Sequence, residues 1–163
     1  MNKDINEIIS HLYISNWYTS NNKEIIKQYN IKAVITIETH RKPEDIINYY
    51  KENNIDFMYI DIEDDINSDI SKYFDITYNF INKHLQNNEN VLVHCYGGIS
   101  RSSTIIINYL LRYLYENNKV SCCPCKVLRN IILYSQKKRP VINPNSGFIN
   151  QLTNKSIYYD SIN

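Results

Sequence analysis

The sequence predicts an α/β fold in which a mostly parallel sheet of four to five strands is flanked by helices, and three observations point there. Two short runs, KAVITIE (32–38) and NVLVH (90–94), are almost continuously apolar and rich in branched residues, the pattern of strands buried on both faces. Between and after them lie longer segments whose apolar residues recur every three or four positions, the helical period. Strand and helix patterns alternate along the chain, which favours crossover connections and parallel pairing.

In chain order, HLYIS (11–15) reads as a short strand, and a helix is expected around residues 20–30. KAVITIE follows, and Pro43 suits the first turn of a short helix, PEDIINYYKENN (43–54). DFMYIDI (56–62) is the next strand. SDISKYFDITYNFINKHLQ (68–86) sets Ile70, Phe74, Tyr78, Ile81 and Leu85 on one helical face, with Ser68 or Asp69 as its cap. After NVLVH, STIIINYLLRYLYE (103–116) is apolar around most of its circumference and predicts the central buried helix. SCCPCKVLRNIILYSQKK (121–138) predicts another, capped by Ser121 with Pro124 in its first turn. Pro140 and Pro144 mark a loop before a final helix in NSGFINQLTNKSIYY (145–159). No repeat or linker divides the chain, so residues 1–163 are expected to form one domain with a real core.

A formal charge of +1 gives no global attraction to nucleic acid or to an anionic membrane, so any phosphate must be held by a local site. The opening MNKDINEIIS lacks the apolar core of a secretory leader and the glycine of a myristoylation signal. The closing DSIN is no prenylation box, and no apolar run has bilayer-spanning length. No membrane anchor is therefore expected. Four cysteines, three of them crowded into CCPC, have poor spacing for a disulfide framework, which favours a reducing compartment, cytosol or nucleus.

The chemistry concentrates in VLVHCYGGISRSS (91–103). The chain holds only three glycines, and two of them, Gly97 and Gly98, stand side by side between an apolar strand and a helix. Anions bind where strand C-termini meet helix N-termini, and Cys95 occupies that position. A tightly curled loop there turns the amides of Tyr96, Gly97, Gly98, Ile99, Ser100 and Arg101 inward, and the glycines permit the dihedrals this needs. Such a ring suits a doubly charged phosphate, and the same field favours the Cys95 thiolate. Arg101, six residues on, has a planar fork that matches two phosphate oxygens. The Ser102 hydroxyl is placed to bond the sulfur and assist its departure. His94 reads as a hydrogen-bonded residue orienting the loop.

HCYGGISRS resembles the signature loop of the cysteine-dependent protein phosphatases, and its Ile-Ser-Arg-Ser ending is similar to the dual-specificity branch. ISHLYISN resembles that family's opening strand, IKAVITI its second strand, and YIDIEDDINSDISKYFDITYNFI its acid loop and following helix. KKRPVINPNSGFINQL resembles its closing segment, Arg-Pro and Pro-Asn pairs included. Ser15 stands where a glycine is common, Gly97 where alanine is frequent, and Ser103 where proline or alanine is frequent. The resemblance implies a small, atypical dual-specificity phosphatase acting on phosphotyrosine and phosphoserine or phosphothreonine in proteins. Expulsion of the leaving oxygen calls for an acid, and DIEDDINSD (61–69) is the reservoir. An EF-hand is a poor fit there, with Ile66 at the glycine position and Lys72 at the glutamate position. The family's register puts the acid at Asp64, with Asp65 the runner-up and Asp69 capping the helix.

The implied mechanism has two steps and needs no metal or cofactor. Cys95 attacks phosphorus while Arg101 and the loop amides hold the equatorial oxygens, and Asp64 protonates the leaving oxygen. Asp64 then activates water on the cysteinyl-phosphate while Ser102 helps the sulfur leave. Two other readings stay open: a phosphoinositide or RNA 5′-phosphate as substrate, and a phosphoprotein-binding module with little turnover. Loops for polyanionic substrates tend to carry extra basic residues, and Tyr96, Ile99 and Ser100 supply none. Binding modules of this family typically lack the nucleophile. Cys122, Cys123 and Cys125 are too close-packed and too few for zinc; a disulfide with Cys95 is the better-founded role, and ordinary helix-opening residues the simplest.

Overall fold

The computed structural model describes residues 4–162. Met1 to Lys3 and Asn163, which the readings of the two chain ends include, lie outside the described residues. Among the described residues, five strands form one sheet: β1 (Ile5–Ile9), β2 (Leu12–Ser15), β3 (Ile31–Ile37), β4 (Asp56–Ile60) and β5 (Asn90–His94). Their spatial order is β1-β2-β5-β3-β4, with β2, β5, β3 and β4 parallel and only β1 antiparallel. The helices are α1 (Trp17–Ser20), α2 (Lys23–Gln28), α3 (Glu44–Glu52), α4 (Phe74–Gln86), α5 (Arg101–Glu116), α6 (Pro124–Lys138) and α7 (Ser146–Ser161).

The two continuous apolar runs became the two inner strands because both their faces are covered. Ala33, Ile35 and Ile37 of β3 and Val91 and Val93 of β5 pack under α4 and α5, in one core with residues of α6 and α7. Val34 and Leu92, offset by one residue, join Ile26, Ile46 and Tyr50 beneath α2 and α3 on the other face. This period of two decides where the site residues go. It sends His94 to the α2–α3 side, against Ser20 and Thr36, and Cys95 to the α5 side. Since β5 lies between β2 and β3, the loop after it opens at the middle of the sheet edge.

Four local outcomes differ from expectation. Strand β1 was not foreseen, because INEII alternates poorly; it is added by a hairpin in which His11 takes a φ of 68°. The helix expected at 20–30 is two helices, each capped by an asparagine. Asn16 Oδ1 accepts from the Thr19 amide at 2.8 Å, and Asn22 Oδ1 from the Glu24 amide at 3.0 Å. The 68–86 segment begins with a 3-10 turn (Ser71–Tyr73), whose Ser71 amide is taken by Asp69 at 3.1 Å. Finally, α6 starts at Pro124 with Cys123 as its cap residue, not at Ser121. Proline has no amide hydrogen to lose at a first helical position, so it sets the boundary.

Candidate active site

The loop from Cys95 to Ser100 is held by its carbonyls. The Tyr96 carbonyl accepts from the Trp17 amide at 2.8 Å, and that of Ile99 from the Asn143 amide at 2.9 Å. Arg139 serves the two between: its Nη2 donates to the Gly97 carbonyl at 3.0 Å and its Nε to the Gly98 carbonyl at 2.9 Å. The Ser100 carbonyl takes the Thr104 amide at 2.9 Å as α5 begins. With these carbonyls directed into the scaffold, the amides of residues 96–100 donate to no backbone acceptor among the described residues. A curled loop with its carbonyls tied outward presents its amides to the concave side, which is an anion cradle.

Only one of the paired glycines is required by backbone geometry. Gly98 has a φ of +64°, and a Cβ there would lie 2.5 Å from the Ser15 carbonyl oxygen. A Cβ on Gly97 would meet only the Ile99 side chain, which can move. The third glycine also belongs to this region: a Cβ on Gly147 would fall 1.9 Å from the Ile66 carbonyl oxygen. Its absence lets the start of α7 pack against the acidic loop.

Cys95 is 2% exposed, and its Sγ lies 3.2 Å from Ser102 Oγ at the first turn of α5. Its carbonyl oxygen is 3.2 Å from His94 Nδ1. A carbonyl can only accept, so Nδ1 carries the proton, and Nε2 accepts from the Thr36 hydroxyl at 2.7 Å. Burial, followed by the nearby Lys42 charge, holds His94 well below the ordinary histidine value, so the ring stays neutral. That neutral ring fixes the loop's first residue, in keeping with an orienting role. Behind it, Lys42 Nζ donates to Ser20 Oγ at 3.1 Å and Asn21 Oδ1 at 2.6 Å. Burial drives the Lys42 ammonium down to about 7.

Arg101 is buried, and two of its three nitrogens are spoken for. Nη1 and Nη2 meet the two Glu38 oxygens at 3.0 and 3.1 Å, and Nη1 also reaches the Ile62 carbonyl at 3.1 Å. Burial pushes the Glu38 carboxyl up, but the hydrogen bonds and charge of Arg101 outweigh it and leave Glu38 below the usual range. Among the described residues, Nε of Arg101 is buried with no hydrogen-bond partner. A buried guanidinium hydrogen with no hydrogen-bond acceptor is a donor still available to an anion.

The two candidate acids part company. Asp64 Oδ1 accepts from Ser100 Oγ at 2.7 Å and from Asn145 Nδ2 at 2.8 Å, and its Oδ2 lies 4.0 Å from Arg101 Nε. Asp65 is exposed and closes a local turn by accepting the Asn67 amide at 2.8 Å. Cys95, Arg101, Ser102, Asp64 and the loop residues Tyr96 to Ser100 are thus gathered in one place. The Ser100 side chain is a strut to the acidic loop, which leaves its amide for a ligand. Tyr96 and Ile99 are exposed at the rim, and Tyr96 faces Tyr18 across 6.2 Å between ring centroids. The CCPC cluster is elsewhere: it follows the C-terminus of α5, a helix of 16 residues, or about 24 Å. The reading in which those cysteines capture Cys95 as a disulfide is therefore not supported by their placement.

Three contributors escaped the sequence reading: Glu38, Arg139 and Asn145. A lone carboxylate ending an otherwise apolar inner strand was the available signal for Glu38. Arg139 and Asn145 showed only as parts of the Arg-Pro and Pro-Asn pairs.

Comparison with known proteins agrees with this geometry. Residues 12–157 match the family model described as dual specificity phosphatase, catalytic domain. Dual specificity protein phosphatase 1B of Arabidopsis thaliana is 34% identical over 152 residues, covering 92% of this chain and 80% of that protein. Dual specificity protein phosphatase 1 of the same plant is 31% identical over 143 residues, covering 86% of this chain and 63% of that one. The crystal structure of the Yvh1 phosphatase domain from Chaetomium thermophilum superposes with a TM-score of 0.80 at 25% identity, covering 96% of each chain. A thiol at the end of a central parallel strand, an amide cradle closed by arginine and a family match across nearly the whole length have one reading: the chain belongs to the dual specificity phosphatases, phosphatases of the cysteine-dependent class.

Proposed function

We propose that residues 1–163 form one catalytic domain that hydrolyses phosphotyrosine and phosphoserine or phosphothreonine in proteins through a cysteinyl-phosphate. The observation that carries this reading is the pairing of a ring of outward-tied carbonyls around Cys95 with an Arg101 Nε that, among the described residues, makes no hydrogen bond. In the first step, Cys95 Sγ attacks phosphorus and the ester oxygen leaves with the proton of Asp64. The loop amides and Arg101 Nε hold the equatorial oxygens, where charge accumulates. In the second, Asp64 takes a proton from water as that water attacks phosphorus, and Ser102 Oγ, 3.2 Å from the sulfur, hydrogen-bonds the departing thiolate. Glu38 and Arg139 are positioning residues: one aims the guanidinium, the other the loop.

Turnover of an aryl phosphate by the reduced protein tests this. Cys95→Ser is expected to abolish turnover while still binding orthovanadate or phosphate. Asp64→Asn is expected to lower kcat by about 10²-fold, the scale of general acid catalysis, and to remove one limb of the pH profile, with Asp65→Asn close to wild type. No turnover by folded wild type would overturn the reading, and the reverse pattern in the two aspartate variants would overturn the assignment of the acid. A panel of phosphopeptides, phosphoinositides and 5′-phosphorylated RNA tests the substrate class, with phosphopeptides expected to be preferred.

A further inference from the structure

A pair of thiols lies beyond the other end of α5. Cys123 and Cys125 are both exposed, and their Sγ atoms are 3.1 Å apart, with Pro124 alone between them. The pair opens α6. Cys123 is the cap residue, whose carbonyl accepts the Lys126 and Val127 amides at 3.0 and 3.1 Å, and Pro124 stands at the first helical position. The proline ring fixes one backbone dihedral between the two thiols, so little freedom remains for them to separate. A disulfide has sulfurs about 2.05 Å apart, so a closure of about 1 Å converts this contact into a bond. Cys122, by contrast, is half-buried against the apolar core and lines a surface cavity with Leu114, Val127 and Ile131.

The two thiols are chemically unequal. The hydrogen bond from Cys125, then the Lys126 amide and charge, hold the Cys123 thiol below its ordinary value, and the same contact raises that of Cys125. Such a pair has one sulfur favoured as thiolate and a protonated neighbour in place to resolve it.

We propose that Cys123 and Cys125 are a peroxide-sensitive dithiol that closes to an intramolecular disulfide at the start of α6, a modification site separate from the catalytic thiol. The Cys123 thiolate attacks hydrogen peroxide and the O–O bond breaks. Cys123 becomes a sulfenic acid, and the released hydroxide is protonated to water. Cys125 then loses its proton and attacks the Cys123 sulfur. The S–O bond breaks, and a second water leaves with that proton. Two thiols and one peroxide yield one disulfide and two waters, and a thiol reductant reverses the change.

One tryptic peptide, residues 120–126, contains all three clustered cysteines and no Cys95, so mass spectrometry reads the site directly. The full chain is reduced, freed of reductant, titrated with hydrogen peroxide and blocked with iodoacetamide. The expected product is this peptide lighter by two hydrogens, alkylated only at Cys122, and restored by dithiothreitol. Cys122→Ser and Cys95→Ser should give the same bridge at the same peroxide concentrations. Cys125→Ser should stop at a dimedone-reactive Cys123. Three alkylated cysteines at a peroxide level that has already oxidised Cys95 would overturn the proposal. So would a bridge that includes Cys122, or one that disappears in Cys95→Ser.

Discussion

At the scale of single residues, the proposed site divides into groups assigned to meet a phosphate and groups that hold them. Glu38 is the clearest of the second kind. Both its oxygens are bound by Arg101, and it is 2% exposed. Removing one partner of a buried pair costs about 3–5 kcal/mol because the other charge is left behind. Glu38→Gln is therefore expected to lower kcat/KM on an aryl phosphate at least tenfold and to weaken inhibition by orthovanadate in parallel, since a misdirected guanidinium serves ground and transition states alike. Unchanged vanadate affinity would show that Arg101 does not depend on Glu38. The pair also shows where legibility in sequence stops. Cys95, Arg101 and Ser102 were readable because they share one short stretch, a loop and the helix start that follows it, whose order alone implies their geometry. Glu38 stands 57 positions before Cys95, and only the adjacency of β3 to β5 brings it there. Arg139 arrives from the far end of α6, where no local pattern distinguishes it from neighbouring Lys137 and Lys138.

At the scale of elements, the inner strands and long helices were legible because burial leaves a periodic record, whereas boundaries depend on single capping residues. Here asparagine takes the role that glycine usually has. Helices α2, α3, α4 and α5 are each followed by an asparagine in the left-handed region: Asn30, Asn54, Asn88 and Asn118, with φ between 46° and 55°. After α3, α4 and α5 the next amide returns to the helix, as in Glu89 to the His84 carbonyl at 3.0 Å and Lys119 to that of Leu114 at 2.9 Å. This is the Schellman closure. The chain's three glycines are thereby left for the active-site loop and the contact beneath it, where a side chain would collide with backbone or loop. Asn88→Gly and Asn118→Gly should leave stability unchanged or raised, while Asn88→Val should lower it by roughly 1–2 kcal/mol, the cost of a left-handed branched residue. Urea midpoints would measure this, and equal midpoints for the glycine and valine variants would contradict the left-handed assignment.

At the scale of the whole molecule, the buried titratable groups combine into a pH dependence of stability. Native Lys42 gives up its proton near 7, whereas an unfolded lysine keeps it to about 10.4. Between those values the unfolded chain binds the extra proton, so stability rises with pH. His94 acts in the same direction at lower pH. Its ring stays neutral when folded, held down by burial and then by Lys42, while the unfolded ring takes a proton below about 6.5. Glu38 extends the trend into acid: burial raises it and Arg101 more than offsets that, so it stays ionised where an unfolded glutamate protonates. The opposite sign comes from tyrosine. Burial raises Tyr50, Tyr78, Tyr109 and Tyr159, the last two to about 12, so above about 10 the unfolded chain ionises first and stability falls. Maximal stability is therefore expected on the alkaline side, between about pH 8 and 10, rather than in the common range of about 5 to 8. The Lys42 ammonium lies over the rings of Trp17 and Tyr50, and Lys42→Met keeps an unbranched apolar side chain there while removing the charge. Urea titrations under reducing conditions should show wild type gaining about 2–3 kcal/mol from pH 7 to pH 9, with the variant nearly flat over that interval. Parallel curves for the two proteins would mean that Lys42 is not the group whose burial sets the alkaline optimum.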